Sequence, residues 1–296
     1  MVSLPEVQSS NCHPRLALLL VAVFVGATGG IGESTLKPFA NYAKQPRACF
    51  VGRSRDAADR IVAECKALNP EGKYIFVKAD ISLIHVADGV CEQIKAKENA
   101  LSMLILSAGV PLRDRSKTAE GIRAVPALIY YSRIHFITKM LPLLQCGASL
   151  RRVVTVIGDT QEGPLEPTDF PALRLPLKKL LLSTAIQGPW TLHCSGICTA
   201  SLENSLHSRF LWCTWRQAHG SRQGKAILPV CRFQTDISLG TTRTIEGGVY
   251  SVGSDCEAGS PDVKKLFAEL RNKRMIEEVW NHTEVEFKWI CGSRVE

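Results

Sequence analysis

The clearest pattern along the chain is an apolar run, Leu16 to Val25, that breaks into glycines and then turns polar, LALLLVAVFVGATGGIGESTLK. It predicts a buried strand, a tight turn and the start of a helix. The pattern then repeats. Ile31 to Tyr42 reads as a helix that Pro38 kinks or ends early, and Arg47 to Ser54 as a short strand closing on Gly52. Asp56 to Leu68 has helical spacing at Ala57, Ile61, Ala63, Cys65 and Leu68 and stops at Asn69-Pro70-Glu71-Gly72. Tyr74 to Ala79 reads as a third strand, Leu83 to Lys97 as an amphipathic helix, Leu101 to Leu106 as a fourth strand and Arg152 to Ile157 as a fifth. Strands alternating with helices specify an α/β fold, a doubly wound parallel sheet in three αβα layers (a Rossmann fold), whose ligands sit at the carboxyl edge of the strands.

The glycines carry the first chemistry. Gly26, Gly30 and Gly32 are spaced G-x-x-x-G-x-G, which leaves no side chain between a helix N-terminus and an anion, so amides and helix dipole face a phosphate. The competing reading of the apolar run is a signal peptide or membrane anchor. It is about ten residues long, short of the roughly twenty a spanning helix needs, and leads straight into the glycine motif. A nucleotide-binding protein without a membrane segment is the expectation. Cofactor type turns on the end of the second strand, where an acid holds the ribose hydroxyls of NAD and an arginine accommodates the 2′-phosphate of NADP. Arg53 stands there, with Ser54 and Arg55 beside it, and favours NADP.

Composition narrows the class. The chain has 296 residues, is 45% hydrophobic and carries a formal charge of +8, with a mean hydropathy of +0.03 and a pI near 9.0. The basic residues are scattered among acids rather than striped, which argues against nucleic acid as partner and for a solvated surface. The 11 cysteines, several of them in apolar segments (Cys49, Cys65, Cys91), suit reduced and mostly buried thiols in a cytoplasmic protein. Residues 1–15 read as a surface arm, and residues 16–296 as a single nucleotide-binding domain with C-terminal helices. Apolar positions on the helices after strands four and five fit a homodimer face as well as core.

The segments VFVGATGGIGE, the Arg53 position, KADIS and LSAG together resemble the cofactor half of the short-chain dehydrogenase/reductases. More narrowly, AEGIRAVPALIYYSRIHFITKMLPLL and the tail GGVYSVGSDCE followed by EEVWNHTEVEFKWI are similar to fungal short-chain reductases of secondary-metabolite pathways. The family's glycine segment usually follows a Thr, where Val25 stands here. The resemblance implies that Asp80 caps the adenine pocket and that Leu106 to Gly109 stabilises the central sheet beside the cofactor. The implied cofactor contacts are Gly26, Thr28, Gly30, Ile31 and Gly32 in the turn, and Arg53 and Ser54 after the second strand. Asp80 and Ile81 follow after the third strand, and Ser107, Ala108 and Gly109 after the fourth. The implied activity is NADP-dependent reduction of a ketone, or oxidation of a secondary alcohol, on a small metabolite.

The family's catalytic pattern is a Tyr acid, a Lys four residues later that lowers its pKa, and a Ser that orients the carbonyl. Of the 5 tyrosines, Tyr74 alone has a Lys at that distance, Lys78, and that pair falls on the third strand, where four residues span about 13 Å rather than one helical turn. Gly158, Asp159 and Thr160 stand where the Ser belongs. Thr160 offers a hydroxyl and Asp159 a proton relay, against the ordinary reading of a turn or helix cap. Tyr131 falls near the position of the family's Asn on helix four and offers a phenol, against the ordinary reading of Tyr130 and Tyr131 as core.

From Leu177 to Lys225 neither a helical nor a strand period persists, and Gly188-Pro189 cuts what should be the long catalytic helix. The segment reads either as diverged or as translated from a wrong frame or retained intron. Its His193, Cys194, Cys198 and Cys213 lack the paired spacing of a zinc site, so no metal is expected. In the tail, Ser260-Pro261-Asp262 starts one helix over Val263 to Arg271. Ile276 to Trp289 forms another, with Val279, Trp280 and Phe287 inward, both covering the open side of the sheet. Asn281-His282-Thr283 matches a glycosylation acceptor but should mean nothing on such a helix.

Overall fold

The computed structural model describes residues 19–110, 114, 116–147, 151–156, 212–213, 265, 268–269 and 275–292. Its strands are β1 (Val21–Val25), β2 (Arg47–Gly52), β3 (Lys73–Lys78), β4 (Met103–Leu106), β5 (Arg152–Thr155) and β6 (Trp212–Cys213). They form one sheet in the order β3-β2-β1-β4-β5-β6, and every pair is parallel. The reversal of direction at β1, with β2 and β3 to one side and β4 and β5 to the other, is the switch point at which such sheets open a ligand crevice.

The layers follow from strand alternation. Ala22 and Phe24 point to one face with Ala48 and Phe50, and pack under α1 (Gly30–Tyr42) and α2 (Arg55–Leu68). Val23 and Val25 point to the other, with Val51, Leu104 and Leu106, under α3 (Ile84–Lys95) and the long helical element that follows β4. That element is α4 (Ala124–Pro126), a π-helical turn (Ala127–Tyr131) and α5 (Ser132–Gln145) in direct succession. Being covered on both sides is why β1 reads as an unbroken apolar run instead of an alternating one. Burying each such side chain is worth about 1.5–3 kcal/mol. β3 lies at the sheet edge with Lys73 and Lys78 exposed at its ends, a charged margin that discourages pairing with another chain.

Several expectations are corrected. The first strand begins at Val21, because only from there does β2 lie alongside; residues 16–18 lie outside the described residues. Pro38 does not end α1, since proline removes its own N–H alone and the ladder resumes with Ala43 N donating to Phe39 O at 3.1 Å. The inward stripe of α2 is Ala58, Ile61 and Cys65, and Leu68 is exposed at its last turn. Asn69 stops α2 by donating its amide to the carbonyls of Ala40 and Ala43, which ties the two helices together. Cys49, Cys65 and Cys91 are buried free thiols, and burial pushes Cys49 up to about 12 and Cys65 to about 11.

The C-terminal helix α6 (Met275–Gly292) packs on α3 and the π-helical turn, which places it on helices instead of on bare sheet. Its inward side chains are Val279, Thr283 and Ile290, with Phe287 half-buried and Trp280 at the margin. Thr283, the hydroxyl residue of the glycosylation pattern, is fully buried and hydrogen-bonded to Val279 O and Tyr130 Oη. The arm 1–15, the segment 177–211, and most of Val263 to Arg271 lie outside the described residues. Among the described residues no helix is long and apolar enough to cross a membrane.

Candidate functional site

The carboxyl ends of β1 to β4 bring the sequence-predicted residues to one edge. Gly26 leaves β1 with φ +90°, a left-handed conformation that L side chains rarely adopt, and its N–H donates to Val51 O at 2.9 Å. A Cβ on Gly26 would lie 2.4 Å from the backbone nitrogen of Ala108, and one on Gly32 would lie 2.5 Å from both Gly26 O and Ser107 Oγ. These two glycines are therefore required by packing: they let the turn after β1 close against the end of β4. Ser107 fixes that contact by donating from Oγ to Val25 O at 3.2 Å and from its amide to the same carbonyl at 2.9 Å.

Gly29 and Gly30 differ in kind. Beyond the adjoining chain, no atom lies within 4 Å of where a Cβ of either would stand, and both are exposed. They face open space at the head of α1, whose N-cap, Gly29, supplies no side-chain hydrogen bond to the first-turn amides. Uncapped amides at a helix N-terminus, with the surrounding surface cleared of side chains, fit a phosphate. The acid in that first turn, Glu33, is drawn away. Its carboxylate takes a bidentate pair from Arg60 at 2.8 and 2.9 Å and a bond from Lys37, and these partners, Arg60 foremost, hold it below the usual carboxylate range.

Around this turn, Thr28 packs over Gly52, where a Cβ would lie 2.4 Å from Thr28 Cγ2. Arg53 is exposed, and Ser54 caps α2 by accepting from Ala57 N at 3.2 Å. Arg55 turns the other way and lies over the Phe76 ring at 4.9 Å. Asp80 is exposed and accepts from Ser82 N and Oγ at 3.1 and 2.8 Å, while Ile81 beside it is buried. Gly109 is exposed at the mouth and Ile31 half-buried behind the turn. The arrangement can hold an elongated anionic ligand across the switch point, with a phosphate at the head of α1 and a basic side chain after β2.

The catalytic candidates fare differently. Tyr131 is fully buried, and its phenol is hydrogen-bonded to His282 Nε2 at 2.8 Å; burial above all pushes its pKa up. It is a core residue that ties the π-helical turn to α6, as Tyr130 does through Thr283 Oγ1 at 2.6 Å. The Tyr74–Lys78 pair lies on β3, and the Tyr74 hydroxyl donates to Asn69 O. Asp159 and Thr160 lie outside the described residues, as do His193, Cys194 and Cys198. Among the described residues no group of His, Cys, Asp or Glu is arranged to hold a metal.

Two residues at the site's margin were not anticipated from the sequence. Arg133, on α5, is buried against the ends of β4 and β5 and donates to Ala108 O at 2.7 Å. Glu120 accepts from the amides of Ile84 and His85 at 2.7 and 3.0 Å and so caps α3 from a distant loop.

The family model for short chain dehydrogenase matches residues 20–159, the same stretch that carries β1 to β5. Over residues 20–159, just under half of the chain, the protein is similar to the short-chain dehydrogenase family. Oxidoreductase AN1596 of Emericella nidulans is 41% identical over 171 residues, 57% of this chain and 51% of that protein. The chain spans about half the length of the curated relatives it matches. Among solved structures, an uncharacterised protein of Mycobacterium paratuberculosis superposes with a TM-score of 0.65 at 14% identity, covering 92% of this chain and 94% of that one. The short-chain dehydrogenase of Sphingobium yanoikuyae, solved with NADPH, superposes with a TM-score of 0.54 at 16% identity over 87% of this chain and 95% of that one. At 14% and 16% identity these likenesses show the fold alone, a three-layer α/β Rossmann fold.

Proposed function

We propose that this protein is an NADP-dependent short-chain oxidoreductase that interconverts a ketone and a secondary alcohol on a small secondary metabolite in a fungal pathway. The observation that carries the reading is the pairing of a cleared, uncapped head of α1, after β1, with the exposed Arg53 just past the neighbouring strand β2. In this reading the turn residues Gly26 to Gly32 take the diphosphate, and Arg53 with Ser54 takes the 2′-phosphate. Asp80 and Ile81 bound the adenine, and Ser107 to Gly109 line the nicotinamide side. When bound, the nicotinamide supplies or accepts the hydride. The chain's own contribution is to bind, orient and exclude water. Solved short-chain dehydrogenases that superpose on this fold in complex with NADP or NADPH, the latter in the Sphingobium yanoikuyae protein, support the choice of cofactor.

A second reading has a specific observation behind it. No Tyr-x-x-x-Lys lies on a helix of the described residues, and the sequence holds that spacing at Tyr74 and Lys78 alone. A protein that keeps the nucleotide pocket and has lost hydride transfer fits that fact. The loss of a positioned general acid costs about a hundred- to ten-thousand-fold in rate. The genomic DNA encoding Leu177 to Lys225 separates the two readings: a different frame encoding Tyr-x-x-x-Lys restores the enzyme, and its absence there favours the binding protein.

Titration of the purified protein with NADPH and NADH, followed by a screen of carbonyl substrates, tests the proposal. NADPH should bind more tightly. Arg53→Ala should erase the preference, since each arginine–phosphate contact is worth about 1.5–3 kcal/mol. Equal affinity of the unsubstituted protein for both cofactors would sink the NADP assignment.

A further inference from the structure

We propose that Arg133 is a positioning residue for the nucleotide site, its guanidinium holding the carboxyl ends of β4 and β5 in the arrangement that closes β4 against the glycine turn. The proposal rests on the nucleotide reading above. Arg133 is 3% exposed in the first turn of α5, between the buried Ser132 and Ile134. Nη2 donates to Ala108 O at 2.7 Å, and Nη1 to Thr155 Oγ1 at 2.6 Å and Val156 O at 2.7 Å. Nε donates to Leu128 O, in the π-helical turn, at 3.2 Å. All four acceptors are neutral, and among the described residues no carboxylate pairs with the group. Burial alone pushes its pKa down to about 9, so at neutral pH it stays a cation.

A desolvated cation without a counter-ion is expensive, and an apolar side chain would fill the same space at lower cost. What offsets the expense is the set of carbonyls it satisfies. Three of them, on Ala108, Val156 and Leu128, belong to three different segments. A planar fork with five donors is the one side chain that can serve acceptors in several directions from a single point.

The consequence passes through Ala108. Its amide donates to Val25 O at 3.0 Å, and its backbone is the wall that leaves no room for a Cβ on Gly26. Arg133 pulls on the carbonyl of that same residue from the opposite side. The end of β4 is thereby held between the glycine turn and the guanidinium, and β5 is fixed to it through Thr155 and Val156. A short aliphatic replacement frees the Ala108 carbonyl, and the end of β4 relaxes away from the turn. Nucleotide binding then has to restore the lost arrangement.

The test uses the full chain with Arg133→Met and Arg133→Lys, NADPH as the probe, and Arg47→Met as a control for general destabilisation. Arg47 pairs with the buried Glu98 at 2.6 Å at the amino end of β2, so its loss should lower Tm without touching the crevice. Affinity and the emission spectrum of bound NADPH are measured at a temperature where circular dichroism shows each variant folded. Arg133→Met should bind NADPH about tenfold or more weakly, the equivalent of one charge-assisted hydrogen bond, with altered emission of the bound nicotinamide. Arg133→Lys should recover part of both, and Arg47→Met should bind as the unsubstituted protein does. Unchanged affinity and emission in Arg133→Met overturn the proposal; where that variant does not fold, the same result in Arg133→Lys overturns it. Equal weakening in Arg47→Met also overturns it, since general destabilisation then explains the effect. If the unsubstituted protein does not take NADPH, the nucleotide reading falls and this proposal with it, an outcome visible before any variant is made.

Discussion

The turn after β1 and the π-helical turn before α5 are built on opposite principles. The first is defined by side chains that are missing. Gly26 and Gly32 let backbone press on backbone, and Gly29 and Gly30 leave the head of α1 bare. The second is defined by bulk and by buried polar groups: Tyr130 and Tyr131 are fully enclosed, and each phenol finds a partner on α6. A turn that must admit a ligand spends its stability on room. A turn that must anchor a helix spends it on contacts. The two therefore respond to substitution in opposite ways, which allows each role to be tested.

The sharpest contrast lies within the first turn. Gly30→Leu adds a side chain where nothing beyond the adjoining chain stands within 4 Å, so the variant should fold, at a cost of about 1–2 kcal/mol for the left-handed backbone, yet lose NADPH binding altogether. Gly26→Val instead meets the backbone of Ala108 and should lose about 3 kcal/mol or more of stability through overpacking and strain, read as a lower urea midpoint. A folded Gly30→Leu protein with unaltered affinity in calorimetric titration would remove the glycine turn as phosphate site.

The π-helical turn should give the reverse signature. Tyr131→Phe removes the hydrogen bond to His282 and should cost about 0.5–1.5 kcal/mol in chemical denaturation while leaving NADPH affinity unchanged. An affinity loss without a stability loss would mean that the phenol belongs to the site after all.

The smallest effect concerns pH, at the junction of α3 and α5. Burial raises the Asp88 carboxyl, but hydrogen bonds from Lys139 and His135 outweigh it and hold the group below its ordinary value of 3.8. Its contribution is present above that value and is lost as pH falls through the lower folded value. Burial also lowers His135 below its ordinary value of 6.5, in spite of Asp88, so the unfolded chain takes up that proton first as pH falls. Both signs point the same way: stability should decline on acidification, first below about 6.5 and again in the acid carboxylate range. Asp88→Asn should shrink the second decline, to which Glu33 also contributes, and keep the first, measured by thermal melts across pH. Stability that rises between pH 7 and 5 would contradict both assignments.

The sheet and the glycine turn were legible because their signals are local. A strand buried on both faces must be an apolar run, and a turn that approaches a helix N-terminus must lack side chains, so Val21 to Gly32 states its own structure. Arg53 was legible because its place is counted from the strand end. Arg133 was not, because an arginine in a helix ordinarily points to water, and its three backbone carbonyl partners lie on segments that sequence spacing does not connect. Glu120 was hidden for the same reason, since it caps α3 from 36 residues beyond Ile84. Pro38 misled in the other direction: a strong local breaker was overridden by the burial of Leu36, Phe39 and Ala40. The Tyr131 phenol became readable as an anchor once its partner, His282, was brought beside it by α6, 151 residues away in sequence.

The contact between Ser107 and Val25 joins residues 82 positions apart. During synthesis the ribosome releases the glycine turn well before it releases the β4 wall that this contact brings against it. An emerging chain thus carries an open half-site, and closing the intervening loop costs entropy that local structure cannot repay. Capture of a ligand at the turn must wait until β4 has docked beside β1. If the turn takes the proposed nucleotide, that ligand would act on the newborn protein as a latch, favouring chains that have already completed the sheet and leaving incomplete ones for proteolysis.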